Sequence, residues 1–276
     1  MYPAMMFTRA PVAFGLSLAA LLAAGTACLA DQLPANLIRA ELLPGWKTEA
    51  GTEMAALRLT LAPGWKTYWR APGEAGIPPQ FDWTASANLA GVAYHWPRPH
   101  VFDVNGMRTI AYKNELVLPI EFLPARAGEA VAVSGTIDLG VCQNICVPVK
   151  VTVSGTLGTG EATNPAVRAA LANLPKSGGA AGIAAPICHA EPIKDGMRLT
   201  TDIALPRAAD GDFAVIETPD ASVWVTNVET RAGGGHLVDV SDLVPSSAAP
   251  FALDRSGVTV TLFAGSDVIE LHGCKG

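Results

Sequence analysis

Strict alternation of apolar and polar residues is the feature that most limits what this chain can fold into. The segment 131–139 places valine, isoleucine and leucine on one parity and serine, threonine and aspartate on the other. The segments 57–61, 118–122 and 147–154 repeat this pattern. A period of two predicts strands with one buried face, and the glycines and prolines between the segments predict turns. We therefore expect an all-β chain built as sandwiches.

The division into domains follows from the one segment that does not alternate. Asn164 can cap a helix that begins at Pro165 and ends near Leu174, before Pro175. Glycine-rich stretches flank this helix, as expected between two domains. We predict a first domain over 31–156, a linker with a short helix over 157–182, and a second β-rich domain over 183–276. In the second domain, strands are expected at 197–205, 212–218, 222–230, 236–240 and 258–263.

The first 30 residues have the layout of a secretory signal peptide. Arg9 is followed by an apolar run over 11–24 and by small residues up to Ala30, after which we place the cleavage site. The prediction is therefore a periplasmic protein that does not span the membrane. The formal net charge is −6 and no run of lysine or arginine stands out, which excludes nucleic acid as an expected partner.

Cys142 and Cys146 are the candidate reactive residues of this sequence, because they can form a disulfide. Strand parity places both on the polar face of a hairpin over 131–154, with a three-residue connection between them. Their Cβ atoms would then lie about 4.5–5.5 Å apart, which makes a disulfide feasible. Pro148 cannot donate to a ladder and so indicates an edge strand that a partner can approach.

The residues alone leave three uses of this pair open. An exposed disulfide of this kind suits thiol–disulfide exchange. It could instead staple the hairpin, although so short a loop contributes only about 2 kcal/mol. A third reading adds His95 or His100 to the two thiolates as a copper(I) or zinc site.

Cys188 and Cys274 are expected to form a structural disulfide. Closing a loop of this length contributes about 4–5 kcal/mol in the chain-entropy model. His189 and His272 lie close to the two cysteines in the sequence, so a zinc or copper site is the alternative. No hydrolase triad, paired carboxylates or phosphate loop has a convincing context, and neither a metal nor another cofactor is expected. The aromatic residues Trp65, Tyr68, Trp69 and Trp83 are expected to pack in or around a sandwich core.

An ordered series of short sequence matches over 44–154 resembles a known family. The series runs through Gly64–Arg70, Pro72-Gly73, Gly76, Pro78-Pro79, Phe81–Trp83, Trp96–Pro99, Tyr112, Leu116–Pro119, Gly140–Cys142 and Cys146–Pro148. It resembles the N-terminal periplasmic domain of the thiol:disulfide interchange protein DsbD. The resemblance is greatest to the branch of ScsB, the copper-sensitivity suppressor protein, and residues from about 160 onward match this branch only loosely.

The resemblance implies an immunoglobulin-like sandwich whose pair Cys142/Cys146 cycles between dithiol and disulfide. It implies that Cys146 forms the mixed disulfide with the partner and that Cys142 resolves it. Electrons would come from a membrane electron-donor module and leave to periplasmic thioredoxin-fold proteins, such as a disulfide isomerase or an ScsC-like protein. The family's aromatic cap over the disulfide is not plainly present in this sequence. Phe102 or Met107 would shield the sulfurs in its place, and the alternative is that Phe102 anchors the core.

Two departures from the family pattern bear on these roles. The cysteine spacing is shorter than in the better-known DsbD domains, which leaves the roles of the two cysteines open. The chain is expected to work without membrane and thioredoxin-like modules of its own. The competing class is a non-catalytic periplasmic binding module, copper-handling or adaptor, with purely structural disulfides.

Overall fold

The computed structural model describes residues 33–104, 106–158, 163–247 and 252–276. The predicted signal peptide and its cleavage site lie outside the described residues. Pro34–Gly276 form one compact unit. The strands and helices of this unit, in chain order, are β1 Ile38–Lys47, β2 Glu53–Leu61, β3 Lys66–Gly73, β4 Gln80–Asp82, β5 Leu89–Tyr94, β6 His100–Val104, β7 Met107–Lys113, β8 Glu115–Pro124, β9 Val131–Cys142, β10 Cys146–Leu157, α1 Pro165–Ala172, β11 Lys176–Ser177, α2 Gly178–Ala181, β12 Ile187–Ile193, β13 Gly196–Ala204, β14 Phe213–Glu217, β15 Val223–Gly233, β16 His236–Pro245, β17 Thr259–Ala264 and β18 Asp267–His272.

The first half of the unit is a sandwich of two largely antiparallel sheets. One sheet has the order β1-β2-β8-β5, and the other has the order β10-β9-β3-β7-β6 with β4 paired to β9. In the alternating segments every second side chain points between the two sheets. Four of these inward side chains are fully buried: Leu57, Trp69, Leu118 and Ile137. The predicted all-β, immunoglobulin-like architecture is confirmed.

The second half contains two further four-stranded sheets. Their orders are β11-β18-β17-β14 and β12-β13-β16-β15, and only β11 runs parallel to its neighbour. Leu199, Leu237, Val260 and Leu262 are fully buried in the cluster that these sheets enclose. The sequence pattern predicted β13 to β17 to within about five residues, but it missed β11, β12 and β18.

Helix α1 covers part of the first sandwich. Asn164 accepts a hydrogen bond from the backbone N–H of Ala166 at 3.0 Å, and Pro165 occupies the first turn. Val167 is fully buried in a small cluster with Met54 and Ala56 of β2. The helix ends at Ala172, which is two residues earlier than predicted. Within the predicted linker, α1 packs on the first sandwich, and β11 pairs with β18 of the second half.

The outer face of the sheet β11-β18-β17-β14 packs against the first sandwich. Trp69 meets Phe263 edge to face with ring centroids 6.0 Å apart, and the guanidinium of Arg108 lies 3.9 Å from the ring centroid of Phe213. Within the part of the chain that the structure describes, neither helix is long and apolar enough to span a membrane.

Candidate functional site

Cys142 and Cys146 are joined by a disulfide at the end of the β9–β10 hairpin. The two residues are directly opposite each other in the antiparallel register, with Cα atoms 4.1 Å apart. The connection of residues 143–145 is closed by a hydrogen bond of 3.1 Å from the backbone N–H of Gln143 to the carbonyl oxygen of Ile145. Strand β10 lies at the end of its sheet, as Pro148 indicated. The alternation pattern therefore places the sulfurs together at an edge.

The two sulfurs differ sharply in their access to solvent. Cys142 is only 2% exposed, whereas Cys146 lies in the exposed class. The side chain of Ile145 in the connecting loop is 54% exposed. Thiol–disulfide exchange proceeds by attack of a thiolate on a sulfur that it can reach. An incoming thiolate can therefore reach Cys146, while Cys142 is shielded.

The shield over Cys142 is built around the phenol of Tyr68. Its hydroxyl donates a hydrogen bond to Cys142 Sγ at 3.0 Å and lies 3.3 Å from Cys146 Sγ. Tyr68 is 2% exposed and packs with Ala111 and Phe102 around Cys142. Burial raises the pKa of Tyr68. Its hydroxyl therefore remains a donor throughout the pH range in which a thiol titrates.

A loop after β3 covers the other side of this phenol. A Cβ atom added at Gly76 would collide with Pro72 and would lie 2.8 Å from Cδ1 of Tyr68. A Cβ added at Gly140, which precedes Cys142 by two residues on β9, would lie 2.7 Å from Cβ of Ile77. Because Gly76 and Gly140 have no Cβ, the loop of residues 72–79 can lie directly against β9 beside Cys142.

The two residues expected to cap the sulfurs occupy different environments. Phe102 is half-buried and packs against the cluster of Tyr68, Ala111 and Cys142. Met107 is 42% exposed and lies outside that cluster. The ammonium group of Lys66 lies 4.9 Å from the ring centroid of Phe102. Of the two residues, Phe102 therefore lies in the cluster around Cys142 and Met107 lies outside it.

Four side chains form a row straight across the sheet at this end. Cys146 pairs with Cys142, Cys142 with Lys66, and Lys66 with Lys113. Burial and the charge of Lys113 lower the pKa of Lys66. Among the described residues, neither lysine has a carboxylate within ion-pairing distance. The disulfide thus sits beside two positive charges that the fold does not neutralise.

Strand β3 also anchors the second half of the unit. Arg70 donates from Nε and Nη2 to the carboxylate of Glu217 at 2.8 and 2.9 Å, and from Nη2 to Glu270 at 2.6 Å. Its pKa is raised because these two carboxylates outweigh the effect of burial. The same strand therefore presents Tyr68 to the disulfide and holds the neighbouring sheet two residues later.

The second cysteine pair is also bonded. Cys188 and Cys274 form a disulfide with Cα atoms 5.5 Å apart, and Cys188 is 3% exposed. His272 pairs instead with Glu270 at 3.2 Å, and His95 lies 3.3 Å from Glu121. In residues 33–104, 106–158, 163–247 and 252–276, no group of three or more histidine, cysteine, aspartate or glutamate side chains is arranged to hold a metal ion. The geometry of the described residues therefore does not support a copper or zinc site at either cysteine pair.

An immunoglobulin-like sandwich with a half-shielded disulfide across one hairpin defines a thiol–disulfide interchange module. Residues 39–157 match the family described as thiol:disulfide interchange protein DsbD, N-terminal. This match covers the part of the chain in which the sequence motifs over 44–154 resemble the family, and it confirms that resemblance.

Among solved structures, the chain is similar to the N-terminal periplasmic domain of ScsB from Proteus mirabilis. The two are 25% identical with a TM-score of 0.57, and the match covers 87% of this chain and 92% of that one. InvD of Yersinia pseudotuberculosis is 11% identical with a TM-score of 0.19, over 88% of this chain and 59% of that one. A marsupial T cell receptor is 13% identical with a TM-score of 0.18, over 89% of this chain and 99% of that one. These last two scores are too low to carry an argument. No curated protein matches the chain.

Sequence reasoning missed the role of Tyr68, which it grouped with the core aromatics. The signal was present in the alternation of β3. Trp65 and Trp69 are buried on the inner parity, whereas Lys66, Tyr68 and Arg70 share the outer one. Tyr68 is thus an aromatic residue among polar ones, on the outward face of the strand next to the cysteine hairpin. A residue in this position is a candidate for covering the sulfurs.

Proposed function

We propose that this protein is a periplasmic thiol–disulfide exchange module that relays electrons through Cys142 and Cys146 to or from thioredoxin-fold partners. The single observation that carries the proposal is the asymmetry of the pair, with one sulfur exposed and the other covered by Tyr68. A disulfide that only staples a hairpin needs no such difference between its sulfurs. The family of residues 39–157 supports the same chemistry.

The asymmetry supports one assignment of the two roles, in which Cys146 exchanges with the partner and Cys142 resolves. When the module accepts electrons, a partner thiolate attacks Cys146 Sγ, the S–S bond breaks, and Cys142 leaves as a thiolate next to the Tyr68 hydroxyl. A second thiolate on the partner then attacks the mixed disulfide and releases Cys146. The module gains two electrons and, after protonation, two thiol protons, and the partner is left with a disulfide. Donation of electrons runs through the same steps in reverse.

Covalent trapping tests the proposal and the assignment together. The Cys142→Ser variant, mixed with periplasmic extract, should accumulate a mixed disulfide through Cys146, because no internal thiol can resolve it. The matched Cys146→Ser variant should trap little, because Cys142 is buried. Equal trapping by the two variants would contradict the assignment.

Redox titration tests the exchange function separately from any partner. In glutathione buffers of graded potential, the Cys142–Cys146 bond should be reduced at a higher potential than the Cys188–Cys274 bond. The latter serves as the internal control, since it closes an 86-residue separation and one of its sulfurs is buried. If both bonds resist reduction equally, the module is not an exchange protein and the binding-module alternative stands.

A further inference from the structure

The end of the sheet that carries the disulfide has two lysines without a carboxylate partner among the described residues, although the chain as a whole is negative. The net charge of the chain is −6. The row Cys146–Cys142–Lys66–Lys113 nevertheless ends in two lysines, and His100 is exposed on the next strand. Neighbouring strands are about 4.8 Å apart, so Lys113, two strands from Cys142, lies about 10 Å away, which is about one Debye length at 0.1 M ionic strength.

The positive charge continues into a cleft beside α1. This cleft, of about 320 Å³, is lined by His100 and Lys113 together with Arg58 and Arg98. Its one carboxylate is Glu115, which lies 3.0 Å from Arg58. Arg98 donates to the side-chain oxygen of Asn173, which is uncharged. We call Lys66, Lys113, Arg98 and Arg58, together with the imidazole of His100 that lies among them, the cationic face.

Two features show that the charges of Lys66 and Lys113 are not neutralised within the fold. Among the described residues, the ammonium of Lys66 contacts only the Phe102 ring as a charge partner, and Lys113 repels it. By contrast, Lys150 on the same sheet face is paired with Asp138 at 2.7 Å. Clustered like charges destabilise the free protein, and an incoming carboxylate relieves that repulsion.

We propose that the cationic face docks an acidic surface that flanks the exchanging cysteine of the thioredoxin-fold partner. The inference rests on the proposed function, since it concerns the partner of the same disulfide. An interface of ordinary size buries about 800 Å² on each side, which is wide enough to include both Cys146 and Lys113. Opposite charges placed around the reacting sulfurs increase the rate of encounter and orient the partner.

Peptide probes of defined charge test the proposal with the full chain. Three synthetic peptides each carry one cysteine, activated as a mixed disulfide with thionitrobenzoate and flanked by glutamate, glutamine or lysine. Cys146 of the reduced protein attacks the peptide sulfur and releases thionitrobenzoate as a thiolate. Cys142 then displaces the peptide thiolate, so that the protein dithiol is oxidised and the activated disulfide is reduced. Each rate is divided by the rate of the same peptide with dithiothreitol, which removes differences in intrinsic reactivity.

The glutamate peptide should react about tenfold faster than the glutamine peptide at low ionic strength, and the lysine peptide should react more slowly than both. The preference should disappear at high salt and in the Lys66→Gln/Lys113→Gln variant. Lys150→Gln is the matched control, because it removes a charge from the same sheet face that is already paired. Equal rates for the three peptides, or the same loss of preference in Lys150→Gln, would overturn the proposal.

A second measurement separates this proposal from the exchange function. Fluorescently labelled peptides with serine in place of cysteine are titrated with the oxidised protein and followed by anisotropy. Salt-sensitive binding of the glutamate peptide, weakened in the double lysine variant, supports the cationic face even if no peptide exchanges. Binding no tighter than that of the glutamine peptide overturns it even if exchange is fast.

Discussion

Replacing Tyr68 by phenylalanine tests the most specific contact of the redox site. The change removes only the hydroxyl that lies 3.0 Å from Cys142 Sγ and 3.3 Å from Cys146 Sγ, and it keeps the buried ring. A hydrogen bond to a charged acceptor contributes about 1.5–3 kcal/mol. Taking the lower end, loss of the bond to a thiolate should raise the thiol pKa by about one unit.

The same loss predicts how the reduction potential depends on pH. Below the thiol pKa the reduced protein is a neutral dithiol, so the variant and the wild type should have similar potentials. Above it the wild-type thiolate is stabilised by the hydroxyl and the variant thiolate is not. The variant should therefore become harder to reduce as the pH rises, by up to about 30 mV for 1.4 kcal/mol in a two-electron couple.

Thiol titration by absorbance of the thiolate and redox titration at several pH values would measure both effects. Tyr112→Phe is the control, because its hydroxyl donates to the carbonyl oxygen of Pro97 at 2.6 Å rather than to a sulfur. That variant should lose about 1 kcal/mol of stability with no change in potential. An unchanged thiol pKa in Tyr68→Phe, or an equal shift in Tyr112→Phe, would refute the assigned role.

Three further predictions concern the surroundings of the site. Arg70→Met removes the guanidinium that joins Glu217 to Glu270, so urea denaturation should show a loss of about 2–3 kcal/mol. An exposed-pair control, Arg126→Gln, should lose less than about 1 kcal/mol. Gly76→Ala places a methyl group against Pro72 and the Tyr68 ring, so it should shift the thiol pKa, whereas Gly91→Ala, with no atom within 4 Å of the added Cβ, should not. Burial raises the pKa of Asp239 above its unfolded value, so the folded state binds more protons and stability should fall as pH rises between the two values; a pH series of denaturation curves should show this slope, and Asp239→Asn should remove it.

Much of the fold and part of the site follow from the sequence pattern alone. Alternation predicted nine of the 18 described strands and the cross-strand pairing of Cys142 with Cys146, because a period of two fixes the face of each residue. It could not predict that Cys142 is buried. The atoms that cover this sulfur come from β3 and β6, and a loop after β3 supports them, so they are distant in sequence from the hairpin.

Two of the strands that the sequence pattern did not predict show the same limit. Residues 187–193 and 267–272 have no clean alternation in sequence, yet they form β12 and β18 because neighbouring strands supply the hydrogen bonds and the packing. Pairing of this kind depends on tertiary context more than on local propensity. The salt bridges of Arg70 likewise join residues about 150 and 200 positions apart, which no local pattern records.

The burial of Cys142 also affects how the reduced protein reacts with peroxide in an oxidising environment. Peroxide converts accessible thiolates first to sulfenic acid and then to irreversible sulfinic and sulfonic acids. Cys146 can take the first step, but Cys142 lies directly opposite it and can condense with the sulfenic acid to restore the disulfide, releasing water. The covered sulfur therefore acts as a built-in repair group, which returns an oxidised module to a form that a partner can reduce again.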